Sequence, residues 1–160
     1  KTLESFTNLQ AQFKNREVKK KYLALVHGKV IPEEGEINAP VGRLPWNRER
    51  FGVLPGGKEA LTKYKVIASY QLPATSYSLL ELFPQTGRTH QIRIHLQYLG
   101  FPIVGDTFYA GRKQALEARK FCPRVFLHAG WISFNHPVSG EKLEFNSPIP
   151  VELEKILGSM

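Results

Sequence analysis

The chain has 160 residues, with 22 Lys and Arg against 14 Asp and Glu, and a formal net charge of +8. This length fits one domain, since domains cluster at roughly 100 to 150 residues, and the basic excess favours a polyanionic partner such as nucleic acid. The single cysteine, Cys122, excludes an internal disulfide and a multi-cysteine metal centre, and favours a reducing, cytoplasmic location. The apolar runs, such as 22–26, are far shorter than the roughly 18 residues of a membrane helix.

Residue spacing in the first half of the chain predicts one helix followed by strands. Leu3, Phe6, Leu9 and Phe13 have the spacing of an amphipathic helix, which should end near Asn15. Later segments are β-branched or alternate between apolar and polar residues, which indicates strands. The predicted strands are 18–27, 36–39, one that begins at residue 60, and 76–83, with the last two forming an antiparallel hairpin. Residues 40–57 are rich in Pro, Gly and Arg, which predicts a loop or a loose hairpin.

The second half of the chain is predicted to contain three helices and one hairpin. A helix should begin near Thr89, whose hydroxyl would cap it, and end at Gly100. The other predicted elements are a helix over 112–121, a hairpin of 125–134 with 141–146, and a last helix after Pro150 that packs Leu153, Ile156 and Leu157. Hairpins with interspersed helices predict an α+β fold, with a mixed but mainly antiparallel sheet and flanking helices, in one domain over residues 1–160.

Several common catalytic arrangements are excluded by spacing. His90 and His95 are five residues apart instead of the four that align two ligands on one helix face, so no metal site is expected. The sequence has no G-x-S-x-G motif, and Cys122 precedes a proline without an adjacent base. The carboxylates of residues 33–36 lie in a predicted turn, where solvation is the simpler interpretation.

The segment 85–96 is the densest concentration of chemically useful side chains. It holds Arg88, Arg93, His90 and His95 where a predicted strand meets a helix start. Helix starts present free backbone N–H groups and the positive end of the dipole, which suits a phosphate or a carboxylate. The residues alone therefore indicate either a basic binding site or a merely solvated helix start.

The same segment carries a family resemblance. Residues 87–96 read Gly-Arg-Thr-His-Gln-Ile-Arg-Ile-His-Leu, and they are followed by Gly-Phe-Pro-Ile-Val-Gly-Asp at 100–106 and by Tyr109. This order and spacing resemble the signature of the RluA-type RNA pseudouridine synthases. Further matches, at 18–26, 42–43, 58–64, 127–129, 136–137 and 140–141, extend the resemblance over almost the whole chain.

The resemblance implies an activity and two catalytic residues. The family isomerises uridine within RNA, such as rRNA or tRNA: the bond from ribose C1′ to base N1 breaks, the uracil turns over, and C5 is joined instead, without a cofactor or metal. The target nucleotide must be flipped out of its stack into a pocket. Tyr22 matches the tyrosine that packs on the flipped base and is implicated in removing the C5 proton. Arg93 matches the arginine that pairs with the catalytic aspartate and keeps it ionised.

Five other residues are candidate RNA contacts. Charge and position make Lys21, Arg43 and Arg88 candidate phosphate contacts, each with the alternative of an ordinary surface cation. His90 and Gln91 either serve the pocket or only brace the helix start.

The sequence departs from the family pattern at the nucleophile. The family's catalytic aspartate stands in an R-L-D sequence upstream of the helix that begins here at Lys1, and the chain contains no R-L-D. Asp106 matches a different position, where a turn-capping role is expected. We therefore expect the C-terminal two-thirds of a catalytic domain, inactive without an N-terminal segment as its partner. The alternative is a non-catalytic RNA-binding module that retains the basic cleft.

Overall fold

The structure is a computed structural model that describes residues 2–160. Its helices are α1 (Leu3–Lys14), α2 (Gln91–Tyr98), α3 (Arg112–Ala118) and α4 (Val151–Gly158). Its strands are β1 (Lys19–His27), β2 (Glu34–Asn38), β3 (Val41–Leu44), β4 (Asn47–Val53), β5 (Leu61–Leu72), β6 (Thr75–Pro84), β7 (Leu127–Asn135) and β8 (Lys142–Asn146).

Six of these strands form one antiparallel sheet in the order β2-β5-β6-β1-β7-β8, and β3 pairs with β4 separately. The predicted hairpins β5–β6 and β7–β8 are confirmed, as are helices near the four predicted positions. The α+β class and the mainly antiparallel sheet are therefore confirmed. The sequence reveals the hairpins readily because their strands are adjacent in the chain, whereas the central position of β1 depends on long-range pairing.

The strand β1 lies near the centre of the sheet, between β6 and β7. Ala24, Leu25 and Val26 are consecutive and completely buried, which means that both faces of the sheet are covered at this point. From α4, Leu153 and Ile156 join the same core, as the sequence predicts.

One face of the sheet carries α2. Tyr22 pairs with Leu82, which pairs in turn with Tyr64, and paired residues project to the same face. Thr62 lies two residues before Tyr64 and therefore shares this face. The Nδ1 atom of His95 in α2 is 2.9 Å from the hydroxyl of Thr62, which attaches the helix there. Tyr22 and α2 consequently lie on the same face of the sheet.

The expected loop over residues 40–57 forms the β3–β4 hairpin, and its base is packed. Arg43 pairs with Phe51 in the register, and Val41 exchanges two backbone hydrogen bonds of 2.9 Å with Lys58. Val41 is buried in a small cluster with Ile94 of α2. The expectation of an unpacked segment is wrong at the base, because the apolar residues between the glycines and prolines have α2 to pack against.

Among residues 2–160, no helix is long and apolar enough to cross a membrane.

Candidate functional site

The connection between β6 and α2 is braced by the amide of Gln91. Its Oε1 accepts hydrogen bonds from the Thr86 hydroxyl at 2.6 Å and from the backbone N–H of Arg88 at 3.0 Å. Its Nε2 donates to the carbonyl of Leu61 and to the hydroxyl of Thr62. The side chain of Gln91 is therefore buried and fully engaged within the protein, in the bracing arrangement that was one of its two predicted roles.

The predicted cap of α2 is wrong. The residue at the N-cap is His90, which has a left-handed φ of 54°, and no side chain caps the helix. Thr89 lies one residue before the N-cap, and the side chain of Gln91 organises the connection instead. A non-glycine residue with positive φ is strained, and such strain concentrates at functional sites. The Nδ1 atom of His90 is 3.0 Å from the hydroxyl of Tyr109, which helps to hold this conformation.

Arg93 is fixed by a two-pronged ion pair with Asp106. The Nε of Arg93 donates to Oδ2 at 2.7 Å, and an Nη donates to Oδ1 at 2.8 Å. The carboxylate side chain is only 1% exposed, and its Oδ1 also accepts from the backbone N–H groups of Phe108 and Tyr109. The predicted turn-capping role of Asp106 thus accompanies a second one, which is to orient Arg93.

The ion pair shifts the pKa of both partners. Burial alone would raise the pKa of Asp106, but the hydrogen bonds and the charge of Arg93, together with the two backbone N–H groups, hold it below its usual value. The hydrogen bond to Asp106 raises the pKa of Arg93. Both groups are therefore charged at neutral pH. Because a guanidinium has five N–H groups and two are used here, the others remain available to a second acceptor.

Aromatic rings form a wall around Arg93. Its guanidinium carbon lies 4.8 Å from the ring centre of Tyr109 and 5.9 Å from that of Phe108. The ring of His90 makes edge contacts with Phe51, Phe108 and Tyr109. Burial and the charge of Arg93 lower the pKa of His90, so it is neutral at pH 7. The wall offers flat apolar surfaces beside a fixed cation, which suits a planar polar ligand.

The wall also carries more positive than negative charge. Arg50 lies 4.6 Å from the ring centre of Phe108, and Arg43 lies 4.9 Å from that of Phe51. Asp106 is already paired with Arg93, so these two arginines are an excess of positive charge. An anionic group such as a phosphate or a carboxylate is therefore favoured at this surface.

Tyr22 is half-buried in β1 and lines a cavity of about 310 Å³ with Phe13, Lys20 and Trp131. The contacts of Arg93 are instead with Asp106 and the aromatic wall, and within residues 2–160 no hydrogen bond joins Arg93 to Tyr22. The two predicted catalytic residues thus lie on the α2 side of the sheet, and among the described residues no hydrogen bond joins them.

The neighbouring lysines of β1 differ in their surroundings. Lys21 forms an ion pair of 3.0 Å with Glu81. Because side chains alternate along a strand, Lys20 shares the face of Tyr22 while Lys21 projects to the opposite face. The sequence analysis predicted an RNA contact for Lys21 and none for Lys20.

Arg88 lies where two surface cavities meet. The Lys20 cavity, of about 340 Å³, is lined by Phe13, Arg16, Lys20 and Arg88 among others. The hairpin cavity, of about 430 Å³, is lined by Arg43, Phe51, Lys58 and Arg88 among others. The Nε of Arg88 donates to the carbonyl of Glu59 at 2.9 Å, which anchors the guanidinium of this residue that lines both cavities. Arg43 and Arg88 are thus brought together at one surface.

Sequence reasoning missed the partner of Arg93 and most of its aromatic wall. Asp106 is the only aspartate in the chain, but this does not indicate which of the 22 Lys and Arg residues it contacts. Phe51 and Phe108 gave no signal either, since Phe51 reaches His90 from the β3–β4 hairpin and Phe108 reaches it from the connection after α2. In the part of the chain that the structure describes, no three His, Cys, Asp or Glu side chains converge as a metal site would require.

Comparison with known proteins identifies the family to which this chain belongs. The family model described as RNA pseudouridylate synthase matches residues 1–98, which is more than half of the chain. The chain belongs to this family, and the resemblance inferred from residues 87–109 is confirmed.

Individual relatives agree with this assignment. The chain is 43% identical over 154 residues to an RNA pseudouridine synthase of Chloroflexus aurantiacus, and the match covers 96% of the chain and 46% of that protein. It is 37% identical over 158 residues to the ribosomal large subunit pseudouridine synthase D of Pseudomonas aeruginosa, covering 94% of the chain and 48% of the relative. The chain thus spans about half the length of these relatives.

A solved structure has the same fold. The human RNA pseudouridylate synthase domain containing 1 superposes with a TM-score of 0.75 at 30% identity, covering 90% of this chain and 60% of that one.

Proposed function

We propose that residues 1–160 are the larger part of one catalytic domain that converts uridine to pseudouridine in structured RNA, either rRNA or tRNA. The observation that carries the proposal is the fixed guanidinium of Arg93, within a chain of the RNA pseudouridylate synthase family. The name of the Pseudomonas relative favours ribosomal RNA as the substrate.

Arg93 is proposed to hold the nucleophilic carboxylate. Asp106 fixes the guanidinium plane through two N–H groups, so the remaining N–H groups have a defined direction before any substrate arrives. A second carboxylate that accepts from them would stay ionised and oriented, which a nucleophile requires. That carboxylate is proposed to be the aspartate of an R-L-D segment in the longer protein.

Tyr22 is proposed to pack against the flipped uracil and to take part in removal of the C5 proton. Its half-buried ring lines an apolar cavity with Trp131 and Ala129, which gives the base a surface to stack on. Its hydroxyl is the only side-chain oxygen on β1, whose sequence is Lys-Lys-Lys-Tyr-Leu-Ala-Leu-Val-His. Proton transfer at C5 requires such a group within hydrogen-bond reach of the base.

The proposed RNA contacts differ in strength of support. Arg43 and Arg88 line the hairpin cavity together and are proposed to bind phosphates. His90 is proposed to contact the RNA as part of the aromatic wall. Lys21 would reach RNA only at the opposite face, where it is paired with Glu81, and Gln91 acts indirectly by bracing the helix start.

The activity is proposed to need an N-terminal segment of the same catalytic domain, at a cytoplasmic location. Leu3 and Phe6 of α1 are 81% and 62% exposed, and an uncovered apolar stripe indicates a surface that another segment covers. The chain spans about half of its relatives, which leaves room for that segment in the longer protein.

The test uses the longer protein and RNA labelled with tritium at uridine C5, because formation of pseudouridine releases this tritium. We expect Arg93→Ala to abolish release while RNA affinity falls only modestly, since its role is to hold the nucleophile. Tyr22→Phe, which keeps the ring, should lower the rate without lowering affinity. The control is Arg124→Ala, which removes an exposed arginine paired with Glu152.

An equal loss of activity and affinity in Arg93→Ala would show that Arg93 grips phosphate instead. If the longer protein binds RNA but releases no tritium from any structured RNA, the non-catalytic RNA-binding module replaces the proposed enzyme.

A further inference from the structure

The Lys20 cavity lies between the α1–β1 connection and the β6–α2 connection. Phe13 at the end of α1 and Arg16 in the first connection line it from one side, Arg88 lines it from the second connection, and Lys20 lies in β1. With Lys14, four cations and one flat ring therefore line a cavity of about 340 Å³. None of the described residues that line it carries a carboxylate.

Lys20 is a half-buried cation of this group that has no charge partner among the described residues. Its side chain is half-buried, and burial lowers its pKa. Within residues 2–160, no carboxylate lies within 4.0 Å of its ammonium and no hydrogen bond satisfies it; its one specific contact is with the Phe13 ring, 5.7 Å away. A half-buried ammonium without an anion is unfavourable by itself, and a bound anion would compensate it.

Arg16 stands where stability alone favours glycine. It follows α1 with a left-handed φ of 62°, and its backbone N–H and that of Glu17 close the helix on the carbonyls of Phe13 and Gln12. Glycine is the common residue at this closing position because it has no side chain to clash. Among the described residues, the only carboxylate that Arg16 contacts is that of Glu59, at 3.8 Å, and both side chains are exposed. The arginine is therefore better explained by its charge than by its backbone.

The Lys20 cavity shares lining residues with the proposed active site. Phe13 and Lys20 also line the cavity of Tyr22, and Arg88 also lines the hairpin cavity with Arg43. The Lys20 ammonium lies 3.8 Å from the point that a Cβ on Gly87 would occupy, so it is directly beside the segment that leads into α2. The Lys20 cavity therefore adjoins the Tyr22 cavity, where a nucleotide next to one bound at Tyr22 can reach it.

We propose that the Lys20 cavity binds the nucleotide that flanks the target uridine, with its phosphodiester held by Lys20, Arg16 and Arg88 and its base against Phe13. This inference rests on the proposed function, since it assumes that RNA reaches Tyr22. The pairing of backbone-tracking cations with one aromatic ring is the usual chemistry of single-stranded RNA sites. Such a site is tolerant of sequence because every base has a flat face.

The test measures the affinity of the longer protein for a stem–loop RNA with a uridine-containing loop, over a series of KCl concentrations. Each phosphate contact with single-stranded RNA contributes about 0.7 to the slope of log affinity against log salt. Lys20→Ala should therefore reduce the slope by about that amount. Arg16→Gly should reduce it similarly without lowering the unfolding midpoint, because glycine suits the left-handed backbone.

The aromatic contact has a different signature. Phe13→Leu keeps an apolar side chain but removes the flat ring, so affinity should fall at least about fivefold while the salt slope stays unchanged. The matched control is Lys63→Ala, a lysine of β5 that pairs with Phe83 and lies exposed on the opposite face of the same sheet. It should leave both affinity and slope at the wild-type values.

The outcomes separate this inference from the proposed function. If the wild-type protein releases tritium and binds RNA but Lys20→Ala matches Lys63→Ala in slope, the flanking-nucleotide site is refuted and the enzyme stands. If Lys20→Ala and Phe13→Leu lower only the unfolding midpoint, the cavity is filled by protein in the longer chain and the inference is also refuted. A wild-type protein that neither binds RNA nor releases tritium refutes both.

Discussion

Neutralising Asp106 should destabilise the protein strongly, because it leaves the Arg93 guanidinium without its charge partner. The variant Asp106→Asn preserves shape and can still accept from the backbone N–H groups of Phe108 and Tyr109. Its amide NH₂, however, would face the Nε–H that now donates to Oδ2 at 2.7 Å. Removing one partner of a buried ion pair typically costs about 3 to 5 kcal/mol. Since the Arg93 side chain is 19% exposed, water compensates part of this, and we expect about 3 kcal/mol.

The assay is equilibrium urea unfolding, with Glu152→Gln as the control. Glu152 pairs with Arg124 at 3.2 Å, but both side chains are about half exposed, so its loss should cost less than about 1 kcal/mol. Adding Arg93→Met to Asp106→Asn should recover part of the lost stability, because the unpaired charge is removed with it. A loss in Asp106→Asn no larger than in Glu152→Gln would refute the view that this pair is a desolvated, structurally important contact.

Other predictions follow from particular contacts. Gly105→Ala should lower the free energy of unfolding by about 3 kcal/mol or more, since a Cβ there would lie 2.0 Å from the Arg124 carbonyl oxygen at a φ of 75°. The control is Gly140→Ala, where φ is 73° and the space is open, and it should cost only about 1 kcal/mol in the same urea assay. Equal losses in the two variants would contradict the predicted clash. Burial lowers the pKa of His95, which is completely buried. Just below pH 6.5 the unfolded chain therefore binds more protons than the folded protein, and the free energy of unfolding should fall as pH falls through that value, by up to about 1.4 kcal/mol per pH unit. A melting temperature that stays constant from pH 7 to 5 would contradict this prediction. The Cys122 thiol is inaccessible, and burial raises its pKa. Cys122 should therefore react with a thiol reagent only after the protein unfolds. Rapid reaction of the native protein would contradict this packing.

Local pattern was sufficient for most elements of the fold. The period of Leu3, Phe6, Leu9 and Phe13 predicted α1 to within one residue of its end, and alternation predicted the β5–β6 hairpin. These features depend on neighbours in the chain, which is why the sequence reveals them. The packing of the β3–β4 hairpin was missed because it depends on Ile94, which is far away in sequence.

The candidate site was predictable only through the family motif. The motif selected Arg93, but physical reasoning from the sequence had no means of identifying Asp106 as its partner, because the two meet only when the turn after α2 folds back. Lys20 and Lys21 show the same limit: charge and position are equal for both in the sequence. The alternation of β1 and the ion pair to Glu81 distinguish them only in three dimensions.

The central claim is that Tyr22 and Arg93 belong to an active site whose nucleophile lies in a different segment. The most direct test is tritium release from RNA labelled at uridine C5, with this chain alone compared with the chain joined to an N-terminal segment that carries the R-L-D aspartate. The account predicts release only from the joined protein, and none when that aspartate is replaced by asparagine. Release by the chain alone would contradict it, since a carboxylate among these 160 residues would then perform the chemistry.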